Sequence, residues 1–127
     1  MRDALMVGAG GFIGSIARYY LSGAVLHASG AARFPWGTLA VNTLGCLVIG
    51  ILGGLAEHFH LFSPATRLLL FTGVLGGFTT YSAFAFETHF LVREHLWQAA
   101  AANLGLHMVL GLGAVWLGHR AVVLLAG

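Results

Sequence analysis

Residues 76–84 read GGFTTYSAF, and this stretch decides how the chain folds. It places paired glycines, hydroxyls and aromatic rings inside a segment that is otherwise apolar enough to cross a membrane. Each glycine destabilises a helix interior by about 1 kcal/mol relative to alanine. Irregular backbone at membrane depth survives only where protein or a water-filled cavity covers it. The stretch therefore predicts a helix that breaks around an ion, with the backbone carbonyls at the break as candidate ligands.

The whole chain has the composition of an integral membrane protein. It has 127 residues, of which only 8% are charged, whereas about 25% is usual in a soluble domain. Four apolar stretches lie at about 4–26, 36–56, 65–86 and 96–117. Each reaches the length of about 20 residues that a bilayer core requires. We expect one all-α membrane domain over 1–127, with four transmembrane helices, the first retained rather than cleaved as a signal peptide.

Positive charge is sparse and evenly divided. The chain has arginines but no lysine, and they are spread singly, which argues against a nucleic-acid partner. With four spans, Arg2, Arg67 and Arg120 lie on one side of the lipid bilayer, and Arg33 and Arg93 on the other. Three against two gives almost no orientation bias by the positive-inside rule. The chain could therefore insert in both directions, which would permit an antiparallel dimer.

Small residues recur four apart, a spacing that lets helix backbones approach closely. The pairs are Gly10 with Gly14, Gly50 with Gly54, and Gly73 with Gly77. They can pack helices within one chain or against a second copy. The chain has 19 glycines, and four short helices can scarcely enclose a pathway, so the pattern favours an oligomer.

Two pairs of polar residues are placed on single helix faces. Thr38 and Asn42 are one turn apart in the second apolar stretch, and Asn103 and His107 are one turn apart in the fourth. Each pair can line a pathway. Each can equally hydrogen-bond a neighbouring helix, which is worth about 0.6 kcal/mol on average in a membrane bundle.

Aromatic rings and hydroxyls follow the paired glycines. Tyr81 and Phe84 are three apart, so both rings project from one face if the helix resumes after the break. An aromatic ring has an electropositive edge, which can meet an anion without a formal charge. Core packing is the alternative interpretation. The hydroxyls of Thr79, Thr80 and Ser82 beside the rings favour the anion.

Ionisable residues indicate a pathway rather than an enzyme. Arg18 lies inside the first apolar stretch, where an arginine either snorkels to the interface or marks an ion path. Glu87 follows the third stretch closely and can face the headgroups. No nucleophile is placed with a base, which argues against catalysis. His58 and His60 flank a loop and His107 has no second histidine four away, so we expect no transition-metal site.

These motifs resemble a known family, the small four-helix fluoride channels of bacteria called Fluc or CrcB. The resemblance covers nearly the whole chain and rests on residues 10–14 with Arg18 and Tyr19, residues 35–39 leading to Asn42 and Gly45, and residues 76–84 with Glu87 and Thr88. It implies a fluoride-specific channel that passively exports fluoride from the cytoplasm and relieves its toxicity. It also implies a multi-pass protein of the bacterial inner membrane that forms an antiparallel, dual-topology homodimer with two pathways.

The resemblance further implies the roles of particular residues. A structural sodium ion, not transported, would be held at the dimer centre by the backbone carbonyls of Gly76 and Thr79 from each subunit. The implied fluoride pathway contains Asn42, Tyr81, Phe84, Thr38, Thr80, Ser82, His107 and Asn103, with Arg18 and Glu87 at a vestibule. Three of these depart from the family pattern: Tyr81 stands where phenylalanine is usual, Asn103 where tyrosine is usual, and His107 where serine is usual.

Physical chemistry is compatible with fluoride as the permeant ion. Fluoride is small and strongly hydrated, so a pore needs hydrogen-bond donors and ring edges in series, each weak enough to release it. One rival is a small multidrug transporter, which needs a membrane-embedded acid; the first stretch has no carboxylate beyond Asp3. A second rival is a non-conducting membrane subunit.

Overall fold

The computed structural model describes residues 1–30 and 33–127, and over these residues it contains helices and no strands. The elements are α1 (Arg2–Ala28), α2 (Trp36–His58), α3 (Pro64–Arg67), the π-helix π1 (Leu68–Leu75), α4 (Gly76–Phe78), α5 (Tyr81–Arg93) and α6 (Trp97–Ala126). Elements α3 to α5 follow one another as one interrupted helix, which we call the broken third helix. The all-α class predicted from the sequence is confirmed over the described residues.

Three of these helices are long and apolar enough to cross a membrane: α2, the broken third helix over Pro64–Arg93, and α6. Helix α1 has 27 residues, which suffices by length. Its glycines and Arg18 make it less apolar than the other three. Helix α6 continues past the predicted stretch 96–117, because apolar residues resume after Arg120.

The helices pack chiefly in two groups. Helix α2 packs mainly on α6, and α1 packs mainly on π1 and α4. The buried apolar residues are Leu39, Val41, Ala56, Leu75, Leu91, Ala100, Ala114 and Val122. Many large apolar side chains remain exposed on the outer faces, as expected of helices that face lipid or a second copy.

Glycines let α1 contact the broken third helix backbone to backbone. A Cβ added at Gly10 would lie 2.8 Å from the amide nitrogen of Val74, and one at Gly14 would lie 2.8 Å from that of Phe78. No side chain fits at such distances. The intrachain interpretation of this glycine spacing is therefore confirmed for Gly10 and Gly14, and the spacing of this pair is no evidence for an oligomer.

The predicted break is present at Thr79 and Thr80. Both residues have extended backbone, with φ −82° and ψ 155° at Thr79 and φ −148° and ψ 109° at Thr80. The preceding π1 is a wide-turn helix of a kind found frequently at functional sites. Helix α5 then begins at Tyr81, and the Thr80 hydroxyl caps it by accepting the Ala83 N–H at 3.2 Å.

Candidate functional site

Asn42 holds the break in place through two hydrogen bonds. Its Nδ2 donates to the carbonyl oxygen of Thr80 at 3.1 Å, and the N–H of Thr80 donates to Asn42 Oδ1 at 2.8 Å. Both backbone groups of an extended residue are satisfied in this way by one amide. An amide carries two donors, so one N–H of Asn42 remains beyond this pair. The side-chain amide of Asn42 therefore positions the Thr80 backbone and still has one N–H that can donate to an ion.

The break also changes the hydrogen bonding of the residues before it. The N–H and the hydroxyl of Thr79 both donate to the Leu75 carbonyl, each at 2.9 Å. In an uninterrupted helix the Gly76 carbonyl would accept from the Thr80 N–H, but that N–H goes to Asn42. Gly76 is itself exposed. Its carbonyl is therefore the kind of released acceptor that can serve as a cation ligand.

A first cavity, of about 460 Å³, gathers most of the predicted pathway residues. It is lined by Asn42, Gly76, Thr79, Thr80, Tyr81, Phe84 and His107, with apolar residues such as Phe71 and Met108 completing the wall. The Phe84 ring lies between two others, with centroids 5.6 Å from Tyr81 and 4.4 Å from His107. Three rings therefore stand in series beside the break. We call this space the break cavity.

A second cavity, of about 440 Å³, contains the predicted vestibule residues. Arg18 and Glu87 both line it, and Thr38 donates its hydroxyl hydrogen to Glu87 Oε1 at 2.6 Å. Over the described residues Arg18 and Glu87 form no ion pair, and Glu87 Oε2 is buried without a hydrogen-bond partner. The cavity thus contains one guanidinium group and one carboxyl group. We call it the vestibule, and Thr38 belongs to it rather than to the break cavity.

Two further vestibule residues were missed by the sequence analysis. Ser15 and Ser22 line the vestibule together with Arg18. They lie three residues before and four residues after that arginine, so all three occupy one face of α1. This spacing was a signal that would have found both hydroxyls.

Thr80 separates the two cavities. Among residues 1–30 and 33–127, it is the one that lines both the break cavity and the vestibule. Its backbone is held by Asn42, which itself lines the break cavity. An ion that moves from one cavity to the other would pass this pair.

Asn103 and His107 have different positions although they share a helix face. Asn103 is fully buried and lines neither cavity, and its Nδ2 donates to the Thr88 hydroxyl at 2.9 Å. That hydroxyl donates to the Phe84 carbonyl at 2.7 Å, so Asn103 joins α6 to α5. His107 lines the break cavity, with Nδ1 2.9 Å from the Asn103 carbonyl and Nε2 buried without a partner. Nothing in the sequence around Thr88 indicated that its hydroxyl would link Asn103 to the Phe84 carbonyl.

The remaining predicted pathway residues lie on an open face. Ser82 is exposed, lines neither cavity, and has its hydroxyl 3.3 Å from that of Thr80. Tyr81 is 80% exposed. In a single chain this side of the break is therefore uncovered.

Comparison with known proteins places this geometry in a family. The family model described as "CrcB-like protein, Camphor Resistance (CrcB)" matches residues 5–119. The chain is 52% identical over 122 residues to a protein of Methylobacillus flagellatus named fluoride-specific ion channel FluC, covering 96% of this chain and 95% of that protein. A protein of the same name from Opitutus terrae is 45% identical, and the match covers 94% of this chain and 91% of that protein. Another from Nitratidesulfovibrio vulgaris is 42% identical, and the match covers 93% of this chain and 94% of that protein.

These matches run through every helix that builds the two cavities. The predicted resemblance is confirmed, since the family model covers most of the chain and the relatives align over nearly their full lengths. The relatives are named as ion channels, and the chain, with its long apolar helices, is a multi-pass membrane protein rather than an enzyme. The chain belongs to the CrcB family.

Proposed function

We propose that this protein is a fluoride-specific ion channel that passively exports fluoride from the cytoplasm and so relieves fluoride toxicity. The observation that carries the proposal is the pair of cavities that meet at Thr80, with uncharged donors and ring edges beside the break. The names of the relatives support fluoride as the ion. A small hydrated anion needs such groups in series to replace its water.

The start of α5 adds favourable electrostatics for an anion. Helix α5 begins at Tyr81, directly beside both cavities. The first N–H groups of a helix have no intrahelical partner, and the helix dipole makes this end partly positive. The Thr80 hydroxyl satisfies only the N–H of Ala83. The first turn of α5 can therefore stabilise an anion without any fixed charge at the centre.

The vestibule would collect the ion and limit how tightly it is held. Arg18 supplies the positive charge that attracts an anion into this cavity. Glu87 lines the same cavity and carries a carboxyl group, which opposes strong retention when ionised. Conduction requires binding strong enough for entry and weak enough for exit, and the opposed charges are suited to this.

We also propose the structural sodium ion that the family resemblance implies. Its ligands would be the carbonyls of Gly76 and Thr79, which fit because the break withholds the Thr80 N–H from Gly76. Unwound backbone carbonyls are suitable sodium ligands in membrane proteins. The ion would keep the extended residues in place and would not itself be transported.

An antiparallel homodimer in the bacterial inner membrane completes the proposal. A second copy would cover the exposed Tyr81 and Gly76 and supply a second pair of carbonyls. The near-equal division of arginines between the two sides is compatible with insertion in both directions.

Flux from proteoliposomes tests the channel function. We expect vesicles loaded with fluoride to release it quickly once an ionophore balances the charge, while chloride-loaded vesicles stay closed. Protein-free vesicles are the baseline. Comparable chloride and fluoride rates would contradict a fluoride-specific channel. Absence of both fluxes would favour the non-conducting subunit, and proton-coupled movement of an organic cation would favour the multidrug transporter.

Two further measurements test the assembly. In a Cys46→Ala background, a cysteine introduced at His60 should react from each side of the membrane in about half of the molecules. Labelling from one side only would exclude dual topology. Replacing sodium with a bulky organic cation should slow fluoride flux or dissociate the dimer on a sizing column, and an unchanged result in both would argue against the ion.

A further inference from the structure

A cluster of metal-ligating side chains lies well away from both cavities. Glu57 and His58, at the end of α2, meet His119 of α6. Each offers one ligand atom, and these atoms all lie within 4.8 Å of one another. Along α2 the cluster is roughly 22 Å from Asn42, at 1.5 Å per residue. The proposed pathway does not use these residues.

The three ligand atoms are spaced appropriately for a tetrahedral ion. Zn²⁺ binds imidazole nitrogen and carboxylate oxygen at about 2.0 to 2.2 Å, which separates neighbouring ligands by about 3.3 Å in a tetrahedron. His119 Nε2 and Glu57 Oε2 are already 3.0 Å apart. The rings of His58 and His119 have centroids 6.0 Å apart at 53°. A small rotation of the exposed His58 side chain would complete the set.

Helix packing fixes the backbone positions of the cluster. Just before it on α2, a Cβ added at Gly54 would lie 3.0 Å from Val122 Cβ on α6, so the two helices are in close contact there. The side chains above this contact remain open to water, since Glu57 is 69% and His119 37% exposed. An ion would therefore find the ligands already close together, with a free path to them.

An ion pair alone does not account for the cluster. The contact between Glu57 and His119 is exposed, and exposed pairs contribute about 0–1 kcal/mol. Such a pair has no need of His58, which nevertheless lies beside both partners. Two imidazoles with one carboxylate and a free fourth position form a ligand set that zinc uses in proteins.

We propose that Glu57, His58 and His119 form a zinc site that clips the end of α2 to α6. The sequence predicted no transition-metal site, because His58 and His60 flank a loop and His107 has no second histidine four residues away. The third ligand lies 62 positions beyond Glu57, and only the packing of α6 on α2 brings it there. Imidazole ligands favour Zn²⁺ over Mg²⁺, which prefers oxygen.

Calorimetric titration with zinc chloride tests the site directly. The full-length protein, freed of any polyhistidine tag, should bind about one Zn²⁺ per chain in detergent. Glu57→Gln and His119→Ala should each weaken binding by at least about 10-fold, the lower end of what loss of even an outer-shell partner costs. His27→Ala is the matched control, because His27 is exposed at the end of α1, on the opposite side of the molecule.

A second measurement separates loss of binding from loss of folding. Zinc should raise the unfolding temperature of the wild type and of His27→Ala, and at the same zinc concentration should raise those of Glu57→Gln and His119→Ala clearly less. The proposal is overturned if the wild type binds no zinc, if the cluster variants bind it as tightly as the wild type, or if Mg²⁺ binds equally well.

Discussion

Replacement of Asn42 by leucine is the sharpest test of the proposed pathway. Leucine keeps the branched shape of asparagine, although it is larger, and removes both hydrogen bonds to the Thr80 backbone, at 2.8 and 3.1 Å. Thr80 lines both cavities. The position of Thr80 therefore decides whether an anion meets hydrogen-bond donors at fixed positions where the two cavities meet. We expect the variant to assemble, with a mobile break and a greatly reduced fluoride flux.

The magnitude follows from the two hydrogen bonds. In a membrane bundle such a bond is worth about 0.6 kcal/mol on average and at most about 1.7. Losing both therefore weakens the ordering of the break by about 1.2 to 3.4 kcal/mol. This corresponds to an approximately 8- to 300-fold change in the local opening equilibrium.

Amide hydrogen exchange at Thr80 measures this change directly, because the N–H of that residue donates to Asn42 Oδ1. Exchange should accelerate by the same factor, and fluoride efflux from proteoliposomes should fall at least about 10-fold. Thr66→Val is the matched control, since it removes a side-chain hydrogen bond to Ser63 far from the break. Exchange and flux both within twofold of wild type would refute the reasoning.

Four other substitutions test separate parts of the molecule. Phe84→Ile keeps the bulk of the side chain but removes the ring, whose centroid lies 4.4 Å from that of His107. Fluoride flux should therefore fall while elution from a sizing column stays that of the wild type, and unchanged flux would mean that the ring serves packing only. Gly14→Ala should lower thermal stability by about 1–3 kcal/mol, because its Cβ would overlap the third helix. Gly8→Ala is the control: a Cβ at Gly8 would lie in open space, so this variant should stabilise α1 by up to about 1 kcal/mol. Equal melting temperatures of the Gly14→Ala and Gly8→Ala variants would contradict the packing argument. Arg18→Gln should reduce flux severalfold at low ionic strength and less at high salt, where charges are screened; a salt-independent loss would exclude electrostatic attraction.

The sequence alone determined features that depend on neighbours along the chain. Apolar stretches of sufficient length predicted the helices, because each helix satisfies its own backbone hydrogen bonds. The paired glycines and hydroxyls at 76–84 predicted the break, since helix propensity is local. The family could be recognised from the same motifs. The roles of Arg18 and Glu87 at a vestibule came from that resemblance, and the structure places both in one cavity.

Only the tertiary structure decided which distant side chains meet. Asn42 could have lined a pathway or tied helices together, and the structure shows that it clamps Thr80. Asn103 and His107 share a helix face, yet one is buried against Thr88 and the other lines the break cavity. Spacing within one helix gives the direction of a side chain relative to its own axis. It does not give the rotation and offset of the neighbouring helix, and these decide what that side chain touches.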